Sequence, residues 1–183
     1  LAHPRFYDFS DKTQVLLQNA DGTFTNTQGD WSYPWGDAGV RYSEGHFSPI
    51  LGDFDQNGTL DLIISTAYTG RVTDFYWGRG DGTFDFDVYH AGIETEYGLG
   101  LASADMDHDG DLDLASATTI WTNTMAEDAK GHWLLIRAVG NVVSKRAAIG
   151  ATLRITAGDT TILRYVSGGN GHGCQDAQTV HLG

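Results

Sequence analysis

The sequence predicts an all-β protein: a partial, β-propeller-like array of repeats followed by a small C-terminal β-domain. Three observations carry this. Two nine-residue acidic loops, at residues 53–61 and 105–113, share one spacing, and each runs into a stretch of strand character. Two Asp-Gly-Thr-Phe turns, at residues 21–24 and 81–84, recur with them. No long apolar segment has the 3.6-residue period of a helix, whereas 24 glycines and short runs of Thr, Tyr, Trp and Phe between Gly/Asp turns favour short strands.

Taken in order, residues 1–10 carry Phe6, Tyr7 and Phe9 without periodicity, and residues 13–19 read as a strand ended by the first Asp-Gly-Thr-Phe turn. Residues 28–49 read as an aromatic loop containing Trp31, Tyr33, Trp35 and Tyr42. Such a loop either folds over the core or offers a contact or sugar-stacking surface, because exposed Trp and Tyr supply apolar area with a polar handle. The first acidic loop leads into a strand at 60–65; a strand at 71–77 and the second turn follow. The turns are 60 residues apart and the acidic loops 52, a repeat with variable connections whose period suits propeller blades or an array. Arg79-Gly80-Asp81 spells an integrin-recognition tripeptide, but its Gly and Asp belong to the repeated turn. Residues 98–104 are small and suit a tightly packed inner strand; no strand, Gly-loop and helix unit surrounds them, so they are not a dinucleotide fingerprint. The second acidic loop enters a strand at 112–117, and residues 124–131 are polar and read as a junction. We therefore divide the chain into a repeat region, 1–128, and a β-domain, 129–183. The latter has strands at 132–139, 151–156, 161–166 and 178–182 and a Gly-rich loop at 167–173.

The acidic loops carry the chemistry. Asp105, Asp107, Asp109, Asp111 and Asp113 place five mutually repelling carboxylates in nine residues, which is costly unless a cation sits among them. Ca²⁺ takes about six to eight oxygens, supplied by an acidic loop from positions one, three and five, with a carbonyl at seven and glycine at six. Those places fall on Asp105, Asp107, Asp109, Asp111 and Gly110. An EF-hand would close with Glu at position twelve, but that residue is Ser116, so closure comes early, from Asp113 at position nine. The first loop repeats the pattern with Asp53, Asp55, Asn57, Thr59 and Asp61. One acidic loop is most often a solvated turn; two with the same spacing and the same following strand predict two Ca²⁺ sites. His108 stands at an even position, facing away from the ion.

Composition narrows the function. Residues 1–131 hold 22 acids against six Lys/Arg, net −16, and residues 132–183 hold two against five, net +3. An acidic body disfavours nucleic acid and suits head-to-tail association with its mildly basic end. No apolar run reaches the roughly 20 residues of a membrane span. The chain starts at Leu1 without a leader, which reads as a processed form or an excised piece. Cys174 is the single cysteine, so no internal disulfide forms. His172, Cys174 and Asp176 share a Gly-rich loop without the motif of a nucleophile and base pair, so no enzyme is expected. Calcium loops of low affinity fill at extracellular calcium, which points outside the cell.

The acidic loops with their strands and the Asp-Gly-Thr-Phe turns resemble FG-GAP/VCBS-type repeats, the calcium-binding blades of integrin-like β-propellers. The segments 131–137, 148–151, 166–169 and 180–182 resemble the ASPIC/UnbV domain of cartilage-acidic-protein-like secreted proteins. The resemblance implies an extracellular, calcium-binding interaction protein without a common catalytic site. A closed propeller needs about four blades or more, and this chain holds about two repeat units. The expected function is a calcium-stabilised extracellular structural module that self-associates, as a head-to-tail filament through strand-edge pairing. The alternative is an adhesive domain of a larger secreted protein that recognises glycan or protein through the 28–49 loop.

Overall fold

The computed structural model describes residues 13–27, 36–41, 45–67, 72–87, 92–93, 100–125, 130–141 and 146–183. Every regular element among them is a strand: β1 (Leu16–Gln18), β2 (Phe24–Asn26), β3 (His46–Gly52), β4 (Asp61–Thr66), β5 (Asp74–Gly78), β6 (Phe84–Phe86), β7 (Leu101–Ala104), β8 (Asp113–Ser116), β9 (Ile120–Trp121), β10 (Leu134–Arg137), β11 (Thr152–Ala157), β12 (Thr160–Tyr165) and β13 (Thr179–Leu182). Strands β3 to β6 form an antiparallel four-stranded meander, which is one complete propeller blade. On either side lie parts of blades: the β1–β2 hairpin and the three-stranded sheet β7–β8–β9.

The repeat holds at the level of single hydrogen bonds. In the first turn Asp21 Oδ1 accepts the Thr23 N–H at 3.0 Å and its hydroxyl at 2.6 Å, and in the second Asp81 Oδ1 accepts the same groups of Thr83 at 2.9 and 2.6 Å. Gly22 and Gly82 have φ of 83° and 85°, a left-handed backbone that glycine adopts freely. The β1–β2 hairpin thus corresponds to β5–β6, the outer half of a blade, and β7–β9 corresponds to β3–β5. No closed propeller is present among the described residues.

Strand β4 is buried along all six residues, because both faces of its sheet are covered. The period-two alternation of a strand sends Ile63 to one side, with Ile50, Phe54, Phe75, Leu101, Leu112 and Leu114. Leu62 and Ile64 face the other, with Val40 and Tyr76. Asp74 of β5 is 1% exposed. It accepts from Arg41 Nε at 2.6 Å and from Arg41 Nη2, from the Tyr76 hydroxyl at 2.8 Å, and shares a hydrogen bond with His46 Nε2 at 2.9 Å. Burial pushes the Asp74 carboxyl up, but the bonds from His46 and Arg41 outweigh it and hold it below the usual range. A depressed folded pKa gives stability that is complete above the unfolded value of about 3.9 and is lost as pH falls through the folded one. Acid melts of the native chain should therefore steepen below about pH 4 relative to Asp74→Asn, and parallel curves would contradict this assignment.

Two sequence readings need correction. The 28–49 loop ends earlier than expected, since residues 46–49 already belong to β3. Pro49 obscured this strand; it is tolerated because β3 is an edge strand with a register shift between His46 and Pro49. The strand expected at 132–139 is confined to β10. In the C-terminal part β10 pairs with β13, and β11 with β12, all antiparallel. The Gly-rich segment packs on the inner strands of the repeats. Ala177 N–H donates to the Ser103 carbonyl at 3.0 Å, and Asp176 Oδ1 accepts the Ser103 N–H at 2.7 Å and hydroxyl at 3.0 Å. Cys174 Sγ donates to Ser48 Oγ at 3.3 Å. No helix among the described residues is long and apolar enough to cross a membrane.

Candidate metal centre

Each acidic loop bridges two adjacent strands of one sheet, β3 to β4 and β7 to β8. The two loops have the same backbone: position four is left-handed, with φ of 55° at Gln56 and 65° at His108, and so is position six, at 87° for Gly58 and 97° for Gly110. Position nine is anchored identically. Asp61 accepts the Phe54 N–H and the Gly78 N–H, both at 2.9 Å; Asp113 accepts the Met106 N–H at 2.8 Å and the Asn123 N–H at 2.9 Å. The early closing carboxylate therefore ties the loop's second residue to the strand end two steps further on. This second duty, a strand-to-strand brace, was not legible in the spacing.

The structure brings together the expected ligands in groups. Carboxylate oxygens of Asp53, Asp55 and Asp61 lie within 4.8 Å of one another, as do those of Asp105, Asp107 and Asp113, and of Asp107, Asp109 and Asp111. The second loop thus holds two overlapping triads that share Asp107. In the first loop Asn57 donates Nδ2–H to Asp55 at 2.9 Å, and its own Oδ1 accepts the Thr59 N–H at 2.8 Å. The Thr59 hydroxyl bonds the Gly78 carbonyl at 2.9 Å. The His108 side chain is exposed.

The loops differ in how their charge is answered. Asp53, 2% exposed, accepts the backbone N–H groups of Asn57 and Gly58, both at 3.0 Å. Its counterpart Asp105 has both oxygens buried with no hydrogen-bond partner, and so has Asp111. A buried carboxylate oxygen without a donor costs more than almost any other polar defect. The Lys130 ammonium supplies part of the answer, 2.8 Å from Asp109 Oδ2 and 3.5 Å from Asp111 Oδ2. Burial, with the neighbouring Asp109 carboxyl, pushes Asp111 up to about 6. Burial likewise pushes Asp61 up to about 7, against its two backbone donors, and raises Asp53. The two donorless oxygens of Asp105, and an Asp111 carboxylate answered by Lys130 alone, among neighbouring carboxylates, are the chemistry of a hard divalent cation, so the residues present fit Ca²⁺. Asp105, Asp107, Asp109, Asp111 and Asp113 would hold it in the second loop, and Asp53, Asp55, Asn57, Thr59 and Asp61 in the first.

Trp31, Tyr33, Trp35 and Tyr42 lie outside the described residues, as does the 128/129 domain boundary. Arg79 and Asp81 of the adhesion-like tripeptide are both engaged locally, Arg79 Nε with Asp85 at 2.8 Å and Asp81 in its turn. Sequence reasoning missed Lys130, whose role is visible only in its contact with Asp109 and Asp111 of the second loop.

Residues 53–116 match the FG-GAP-like repeat family and residues 141–183 match the ASPIC and UnbV family. FG-GAP repeats are β-propeller-type modules, typical of extracellular and cell-surface proteins, and commonly bind calcium. Comparison with curated proteins finds no match.

Proposed function

We propose that this chain, an FG-GAP-like repeat joined to an ASPIC/UnbV domain, is a calcium-stabilised extracellular structural module that self-associates through its strand edges. The observation that carries the calcium part is the buried Asp105 carboxylate, neither of whose oxygens has a hydrogen-bond donor, among the other acids of its loop. Their role is structural: the loops pin strand-to-strand corners and perform no reaction. Open strand edges support the self-association part. Among the described residues β1–β2 is the outer half of a blade and β7–β9 lacks the fourth strand that β6 provides in the complete one. Unpaired edges are templates for another chain, and β1–β2 adds exposed Leu16 and Phe24, 51% and 62% accessible. Contacts between unlike surfaces that do not close give head-to-tail filaments. Light scattering with electron microscopy in millimolar calcium should show assemblies larger than the monomer. A monodisperse monomer across concentrations would rule out the assembly part.

A further inference from the structure

Position four is silent in the ligand pattern, because its side chain turns away from the ion. In the first loop it is Gln56, 9% exposed, and its amide spans to the second loop. Gln56 Nε2–H donates to the Gly110 carbonyl at 2.8 Å, and Gln56 Oε1 accepts the Gly131 N–H at 2.9 Å. Gly110 is position six of the second loop. Its carbonyl also accepts from His181 Nε2 at 2.7 Å, so Nε2 is the protonated nitrogen. The other side of Gly110 is closed by Trp133, whose Nε1 lies 2.1 Å from where a Cβ would stand. The matching residue of the second loop, His108, has the same backbone but an exposed side chain, so the strut runs from the first loop to the second only.

We infer that Gln56 is a positioning residue that couples the two cation sites, so that filling one raises the affinity of the other. The inference rests on the calcium reading above. A cation in the first loop fixes Asp55 and Asn57, and with them the left-handed Gln56 between. The fixed amide holds the Gly110 carbonyl, and with it the turn that aims Asp109 and Asp111. The second loop then loses less conformational freedom when its own ion arrives, which is positive coupling without a change of fold. Linkage makes the effect reciprocal.

Calorimetric titration of the full chain with CaCl₂ tests this. The native chain should bind two ions with about tenfold coupling between them. Gln56→Gly, which keeps the left-handed backbone accessible, should bind two ions independently, and Gln56→Glu, unable to donate to Gly110, should also lose the coupling. A stability change alone would leave the interaction factor intact, so the factor separates coupling from mere support. Two independent sites in the native chain, or unchanged coupling in Gln56→Gly, would overturn the inference while leaving the calcium reading standing. Absence of calcium binding would overturn both.

Discussion

In excess EDTA the chain should melt about 10–20 °C below its melting temperature in millimolar calcium. A ligand that binds only the folded state stabilises it by RT ln(1 + [L]/Kd), about 2.7 kcal/mol per site at a hundredfold excess. Two sites give about 5 kcal/mol, and each kcal/mol moves the melting temperature of a chain of this size by about 2–4 °C. The structural reason is asymmetric. The first loop answers Asp53 and Asp61 with four backbone N–H groups, so it can persist without an ion. The second leaves the Asp105 carboxylate without a donor and answers Asp111 with Lys130 alone, 3.5 Å away. Most of the loss should thus come from the β7–β8 corner, detectable as faster amide exchange there than at β3–β4. Magnesium, smaller and bound to strict octahedral geometry, should restore less than calcium. Superimposable melts in calcium and EDTA would refute a stabilising ion.

What the sequence made legible is what local chain geometry dictates. The left-handed glycines and the Asp-Gly-Thr-Phe turns are set within a few residues, and each appears where the repeat places it. Strands β4 and β8 followed from their apolar patterning next to the loops. Strand β3 was hidden because its buried positions include Ser48, whose backbone N–H is satisfied by Ser65 Oγ at 3.1 Å, so no apolar alternation marks its start. Contacts between distant segments left no pattern at all. Asp74 reads as an ordinary surface acid until Arg41 and His46 meet it. Asp176, in the loop that tempted a nucleophile reading, is instead a latch on Ser103, bonded further by Asn170 Nδ2. Gln56 is the clearest case: nothing in its spacing distinguishes it from His108, and only the meeting of two loops gives it a partner.

Replacing single aspartates of the second loop should separate cation binding from framework support, with opposite outcomes in EDTA. Asp113→Ala removes the acceptor of two backbone N–H groups, those of Met106 and Asn123. Each unpaired buried donor costs about 1–3 kcal/mol, so this variant should lose about 3 kcal/mol or more whether or not calcium is present. Asp105→Asn acts on a carboxylate that no protein donor reaches. In calcium it removes a ligand, and the stabilisation by the ion at that site, about 2.7 kcal/mol at a hundredfold excess, should largely disappear. In EDTA the same change replaces a buried, repelled charge with a neutral amide, so stability should hold or rise. The sign reversal of Asp105→Asn between the two conditions is the signature of an ion cage built at a cost to the empty protein. Equal destabilisation of both variants in EDTA would mean that Asp105 is framework like Asp113, and that its two donorless oxygens do not await a cation.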